Sequence, residues 1–223
     1  MMKEQLSTQK YTIAWFRLAE FVLNGKKQHA LSIFRLLAYS LPDEAIASQL
    51  EGDLLWSFED EKALDAYYKS AQLYEKQEKY MQAIALYELL LSLQPYTIEF
   101  AVKLFKLTQQ NLYRAKEEKA LAVLMEACEK HQTVDELIAV CNEGKITYAQ
   151  KMMLYERIVL FSLQSNLEVP SYISFYLEQI VDFHIATDEK KLRVLLANVR
   201  ALNESFYHTT SIYLKGGMKE LAL

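Results

Sequence analysis

Metal binding and nucleophilic catalysis in this 223-residue chain would fall first to its four histidines and two cysteines, and their spacing serves neither. A carboxylate-bridged di-iron bundle needs Glu-x-x-His on two helices, but the residues three before His29, His131, His184 and His208 are Lys26, Cys128, Val181 and Ser205. Cys128-x-x-His131 places a thiol and an imidazole one helical turn apart, with Cys141 further on, yet no fourth ligand nearby completes a structural zinc set. A buried thiol beside a helix-end histidine is the expectation there. Glu178 and Asp182 share a helical face near His184, which is an acid and base grouping without a nucleophile, glycine loop or lid beside it. It reads as a solvated face with a histidine in the last helical turn. Gly-x-Ser-x-Gly, a phosphate loop and His-Glu-x-x-His are all missing from the sequence. The expectation is a non-enzymatic protein with no catalytic residues, metal or cofactor, and a helical hydrolase or metal enzyme is the weakest alternative.

The elements that would position any site are helices. Hydrophobic residues make up 52% of the chain, against only 5 Gly and 3 Pro, too few turn-breakers for a β-sandwich or a phosphate-binding α/β enzyme. With 29 acidic and 25 basic residues the formal charge is -4, which lacks the basic excess for nucleic acid. No apolar run approaches the roughly 20 residues of a membrane span, and the apolar run 11–23 contains Arg17 and Glu20 and lacks a cleavage site. The chain is therefore expected to be cytoplasmic, with Cys128 and Cys141 reduced and buried.

Five alternating helices are expected at 10–24, 27–41, 43–57, 60–77 and 79–94, and they carry a spaced series of small and aromatic residues. Trp15, Ala19, Ala30, Phe34, Leu37 and Pro42 open it, and 33 residues on, Gly52, Ala63 and Tyr67 take the places of Ala19, Ala30 and Phe34. Ala71, Tyr74, Tyr80, Ala83, Tyr87 and Pro95 form the fullest occurrence. Over residues 11–95 this series resembles the tetratricopeptide repeat (TPR), whose small residues let antiparallel helices approach closely. Ala63 to Ala83 is only 20 residues, so the helix at 60–77 must close one pair and open the next.

Beyond Pro95 the signature fades while the helical period persists. Ile98, Ala101, Val102 and Phe105 form one stripe, as do Leu121, Leu124, Met125 and Cys128. A Thr133-x-x-Glu136 capping box and Gly144 would bound a short helix carrying Val134, Leu137, Ile138 and Cys141. The segment 147–164 is apolar nearly all round and is the candidate central helix. Pro170 would open the next helix, and Asp188 would precede another with Leu192, Leu195, Leu196 and Val199 on one face. Four-apart pairs such as Glu75/Lys79, Glu99/Lys103 and Glu189/Arg193 suit solvated faces. The expected architecture is an all-α, TPR-like α-solenoid over 1–95, further helices over 96–214 that continue or pack on the array, and a flexible tail at 215–223.

The resemblance implies a concave groove that binds a peptide or helix of another protein. Aligned on it, the groove residues are Phe16, Arg17, Glu20 and Asn24, then Gln49, Asp53 and Trp56, then Tyr68, Lys69 and Gln72. Phe16, Trp56 and Tyr68 would be its anchors. The family's two-carboxylate clamp for chaperone tails is not matched, because Phe16 and Glu20 stand where a Lys and an Asn belong and Asp53 replaces a second Asn. An adaptor or scaffold for protein–protein interaction is the expected function. A cytoplasmic secretion chaperone of the same repeat class is the alternative, and a homodimer through the C-terminal helices is a further expectation.

Overall fold

The computed structural model describes the backbone of residues 2–110, 114–143, 146–164 and 171–208. Among these there is no strand: eleven α-helices follow one another, with a short helical stretch at 204–208. The chain divides into two compact units, residues 1–111 and 112–223. The first holds α1 (Met2–Leu23), α2 (Lys27–Ala38), α3 (Glu44–Trp56), α4 (Lys62–Lys76), α5 (Tyr80–Leu93) and α6 (Ile98–Gln110). The second holds α7 (Arg114–Lys130), α8 (Asp135–Asn142), α9 (Tyr148–Gln164), α10 (Tyr172–Thr187) and α11 (Glu189–Leu202). The division falls after α6, so Pro95 sits inside the first unit, in the turn between α5 and α6, which pack on each other.

Each helix of the first unit packs on the next, and the tightest contact is α3 on α4. Small side chains permit it. Ala45, Ser48 and Gly52 on α3 and Ala63, Ala66, Ser70 and Ala71 on α4 are all buried, and the Ser70 hydroxyl donates to the Ala45 carbonyl at 2.7 Å. Gly52 lies directly against the Tyr67 ring: a Cβ there would come within 2.6 Å of its Cδ1 and Cε1. Ala83 and Tyr87 on α5 are fully buried, so α4 is flanked by α3 and by α5, as the shortened 20-residue interval requires.

Side chains also join alternate helices. Lys27 of α2 pairs with Asp60, just before α4, at 2.6 Å, and Lys103 of α6 reaches Glu75 of α4 at 3.4 Å. Asp43, the N-cap of α3, accepts from the Ala45 amide and from Gln77 at 2.8 Å each and from Lys79, just before α5, at 2.5 Å. These donors hold its carboxyl down at about 2. These links run from α2 to the start of α4, from the N-cap of α3 to the start of α5, and from α4 to α6. Stacked helical hairpins have this repeat-like arrangement.

The first repeat differs from its expected register. Ala19 faces water, Trp15 is partly exposed, and Leu18, at 8% exposure, is the buried residue instead. The core-facing stripe of α1 is Ala14, Leu18, Phe21 and Val22, packed with Ala30, Phe34, Leu37 and Leu54. One residue of rotation separates it from the aligned pattern, because α1 carries apolar side chains on two faces and the better-filled one turned inward.

Four helices end on a left-handed residue. Gly25, Glu59, Glu78 and Gln132 have φ of 66°, 56°, 57° and 54°. The amide after each bonds back across the last turn: Lys26 to Phe21, Asp60 to Leu55, Lys79 to Tyr74 and Thr133 to Cys128, at 2.8 to 3.1 Å. A side chain is strained in that conformation and glycine is not. Replacing the exposed Glu78 by Gly should therefore raise stability by about 0.5–1 kcal/mol after the added chain entropy of glycine is subtracted. Urea unfolding of the full chain measures it, and an unchanged or lowered midpoint would contradict it.

In the second unit α9 is central, packing on α7, α8, α10 and α11. Met152, Leu154, Tyr155, Ile158, Val159 and Leu163 are buried from it, and the Tyr155 ring stacks on Tyr176 of α10 at 4.0 Å. Asp188 caps α11 by accepting from the Lys191 amide, and Leu192, Leu195, Leu196 and Val199 are all buried, as expected. The capping box is not formed: α8 has no side-chain bond at its N-cap, Val134, and the Thr133 hydroxyl accepts weakly from the Asp135 amide, at 3.4 Å. Gly144, Pro170 and the tail at 215–223 lie outside the described residues.

Candidate functional site

The residues assigned to a groove fall on three helices, α1, α3 and α4, with Asn24 just past the end of α1. On α3 the outward stripe is Ile46, Gln49, Asp53 and Trp56, spaced three, four and three residues apart, with Gln49 half-buried and Trp56 48% exposed. Its polar middle is fixed from behind. The Tyr67 hydroxyl of α4 donates to Asp53 at 2.8 Å and the Tyr74 hydroxyl donates to Gln49 at 3.3 Å. Burial and the Asp53 carboxylate push the Tyr67 phenol well above its ordinary range, so it stays protonated as a donor.

On α1, the face away from the core carries Ile13, Phe16, Glu20 and Leu23 at the same spacing, with Phe16 72% exposed and Arg17 and Asn24 on its flank. The Asn24 side chain is bonded to the Glu20 carbonyl of its own helix at 2.8 Å.

The α4 residues are placed differently. The Tyr68 ring packs against Tyr87 of α5 and Phe100 of α6, and its hydroxyl donates to Glu99 of α6. These contacts join α4 to α5 and α6. Lys69 is exposed and paired with Glu44 of α3 at 2.9 Å, and Gln72 hydrogen-bonds to Tyr68. Ile13, Leu23 and Ile46 complete the α1 and α3 stripes and were missed by alignment to the repeat. Their signal was the three-four-three spacing opposite a buried face.

Within the second unit a concavity lies between α7, α8 and α9. Met125, Val134, Leu137, Leu160 and Phe161 line a shallow cleft, and Arg157 pairs with Glu129 at its rim at 3.4 Å. The groups considered for chemistry are scattered. Glu178 and Asp182 are exposed, whereas His184 is buried with Nε2 3.9 Å from Glu156 of α9 and with Nδ1 lacking a hydrogen-bond partner among the described residues. His131 is exposed. Cys128 and Cys141 are buried and free, and burial pushes both thiols up to about 11, which makes them poor nucleophiles. Among the described residues no three of His, Cys, Asp and Glu group together as a metal set, and no helix is long and apolar enough to cross a membrane.

Neither the known protein-family models nor the curated proteins include a match to this chain. Its own geometry defines it: an all-α, helical repeat-like protein that exposes two apolar-ended stripes in its first unit.

Proposed function

We propose that the chain is a non-enzymatic protein–protein recognition module, an adaptor or scaffold whose α3 stripe holds a peptide or helix of another protein. The supporting observation is Trp56, half-exposed beside Asp53 and Gln49, whose side chains are held in place by tyrosines of the neighbouring helix. A large, rigid aromatic next to oriented polar groups has the composition of a binding hot spot, and prior fixing of those groups lowers the entropy lost on association. The buried small residues Gly52, Ala63, Ala71 and Ala83 support reading the first unit as TPR-like, because they let successive helices nest and leave the opposite faces free. The free, buried cysteines accord with the cytoplasm as its compartment.

A displayed peptide library selected against the full chain, followed by titration of the selected peptide, tests this reading. Trp56→Ala should weaken binding by about 30-fold, a hot-spot loss of about 2 kcal/mol, with the melting temperature unchanged. Unchanged affinity in that variant, or failure to select any sequence-specific peptide, would remove the α3 stripe as a binding face.

A further inference from the structure

We infer that α1 pairs with the α1 of a second copy of this chain, in an antiparallel arrangement about a two-fold axis. The face of α1 opposite the core carries Ile13, Phe16, Glu20 and Leu23, with Ile13 55%, Phe16 72% and Leu23 87% exposed. Their three-four-three spacing is that of a helix–helix seam, and a seam of this kind needs a partner helix. Charge selects both the partner and its direction. Glu20 is exposed on this stripe and Arg17 on its flank, and neither forms an ion pair with other described residues. In a parallel self-pairing Glu20 would meet the Glu20 of the second copy. In an antiparallel one, with the axis near residue 18, Ile13 lies against the second copy's Leu23, Phe16 against the stem of its Glu20, and Arg17 beside that same Glu20. The two-fold axis then makes every contact twice, including two Arg17–Glu20 pairs, which is the self-complementarity an isologous interface requires. A single charged layer inside an apolar seam fixes register at a cost in stability.

The analogous face of α10 lacks this property. Phe175 and Ile185 flank Glu178 and Asp182 there, all exposed, so self-pairing would bring four carboxylates together. The α1 face is thus the one that a second copy fits. Trp56 lies on a different helix, α3, and the peptide titration and the self-association experiment are read on different substitutions.

Sedimentation velocity of the full chain across a dilution series is the test. The wild type should show a reversible monomer–dimer equilibrium. Arg17→Glu and Glu20→Arg should each raise the dimer Kd about tenfold or more, since each turns two attractions into repulsions. An equimolar mixture of the two single variants should form a one-to-one heterodimer, and the double variant should restore the homodimer. These positions are exposed, so melting curves should be unaltered; Leu23→Ser gives an uncharged variant that should also weaken the dimer. A wild type that stays monomeric at every concentration, single reversals that dimerise normally, or single variants that ignore each other would each overturn the inference.

Discussion

Gly52→Ala will destabilise the first unit by about 1–3 kcal/mol, although alanine is the better helix former by about 1 kcal/mol. The added methyl would sit 2.6 Å from two carbons of the Tyr67 ring, well inside van der Waals contact. That ring cannot move freely, because Tyr67 is buried and its hydroxyl is bonded to Asp53. Either the ring shifts and strains that hydrogen bond, or α3 and α4 separate and loosen the contact between Ser70 and Ala45. Tyr67→Ala removes the obstacle at the cost of a cavity, and in that background Gly52→Ala should become stabilising by about 1 kcal/mol, the helix-propensity gain alone. Chemical unfolding of all four proteins measures the coupling. The same sign for Gly52→Ala in both backgrounds would show that the close approach carries no energetic weight.

In the second unit the largest loss is expected from Ile158→Ala. Ile158 is fully buried at the centre of α9, the helix against which α7, α8, α10 and α11 all pack. Removing its side chain should cost about 2–5 kcal/mol in lost burial and residual cavity. Met153 lies on the same helix but is 53% exposed, and Met153→Ala should change stability by no more than about 0.5 kcal/mol. Hydrogen exchange locates the effect: in the Ile158 variant, amides of α9, α10 and α11 should lose protection. Equal effects of the two substitutions would mean that α9 is not the packing centre.

Much of the fold was readable because helix formation depends on local spacing. The stripes of α11 and α6 and the all-round apolarity of α9 each require only one segment to be identified. The α3–α4 contact was partly readable for the same reason, since Gly52, Ala63 and Ala71 are small at matched intervals. Three features were not. Two apolar faces on α1 made Ala14, Leu18, Phe21 and Val22 compete with the stripe containing Phe16 and Leu23, and periodicity alone ranks them alike. Tyr68 has the residue type of a binding anchor, yet its neighbours Tyr87 and Phe100 are 19 and 32 residues away in sequence. The four-apart ion pairs were also redistributed. Glu189 and Arg193 pair as spaced, at 2.6 Å, whereas Glu75, Lys79, Glu99 and Lys103 bond across helices to Tyr87 and Lys103, Asp43, Tyr68 and Glu75 respectively.

The amino-acid order alone determines that this chain is helical and roughly where most of its helices run, although α1 begins at Met2 and not near residue 10, because helix formation depends on residues within a turn or two. Which face of a helix is covered is decided only when the helices assemble, since the choice between two apolar stripes depends on how well a neighbouring helix fills the gap. That assembly left Phe16 and Trp56 at the surface and drew Tyr68 into the contact with α6.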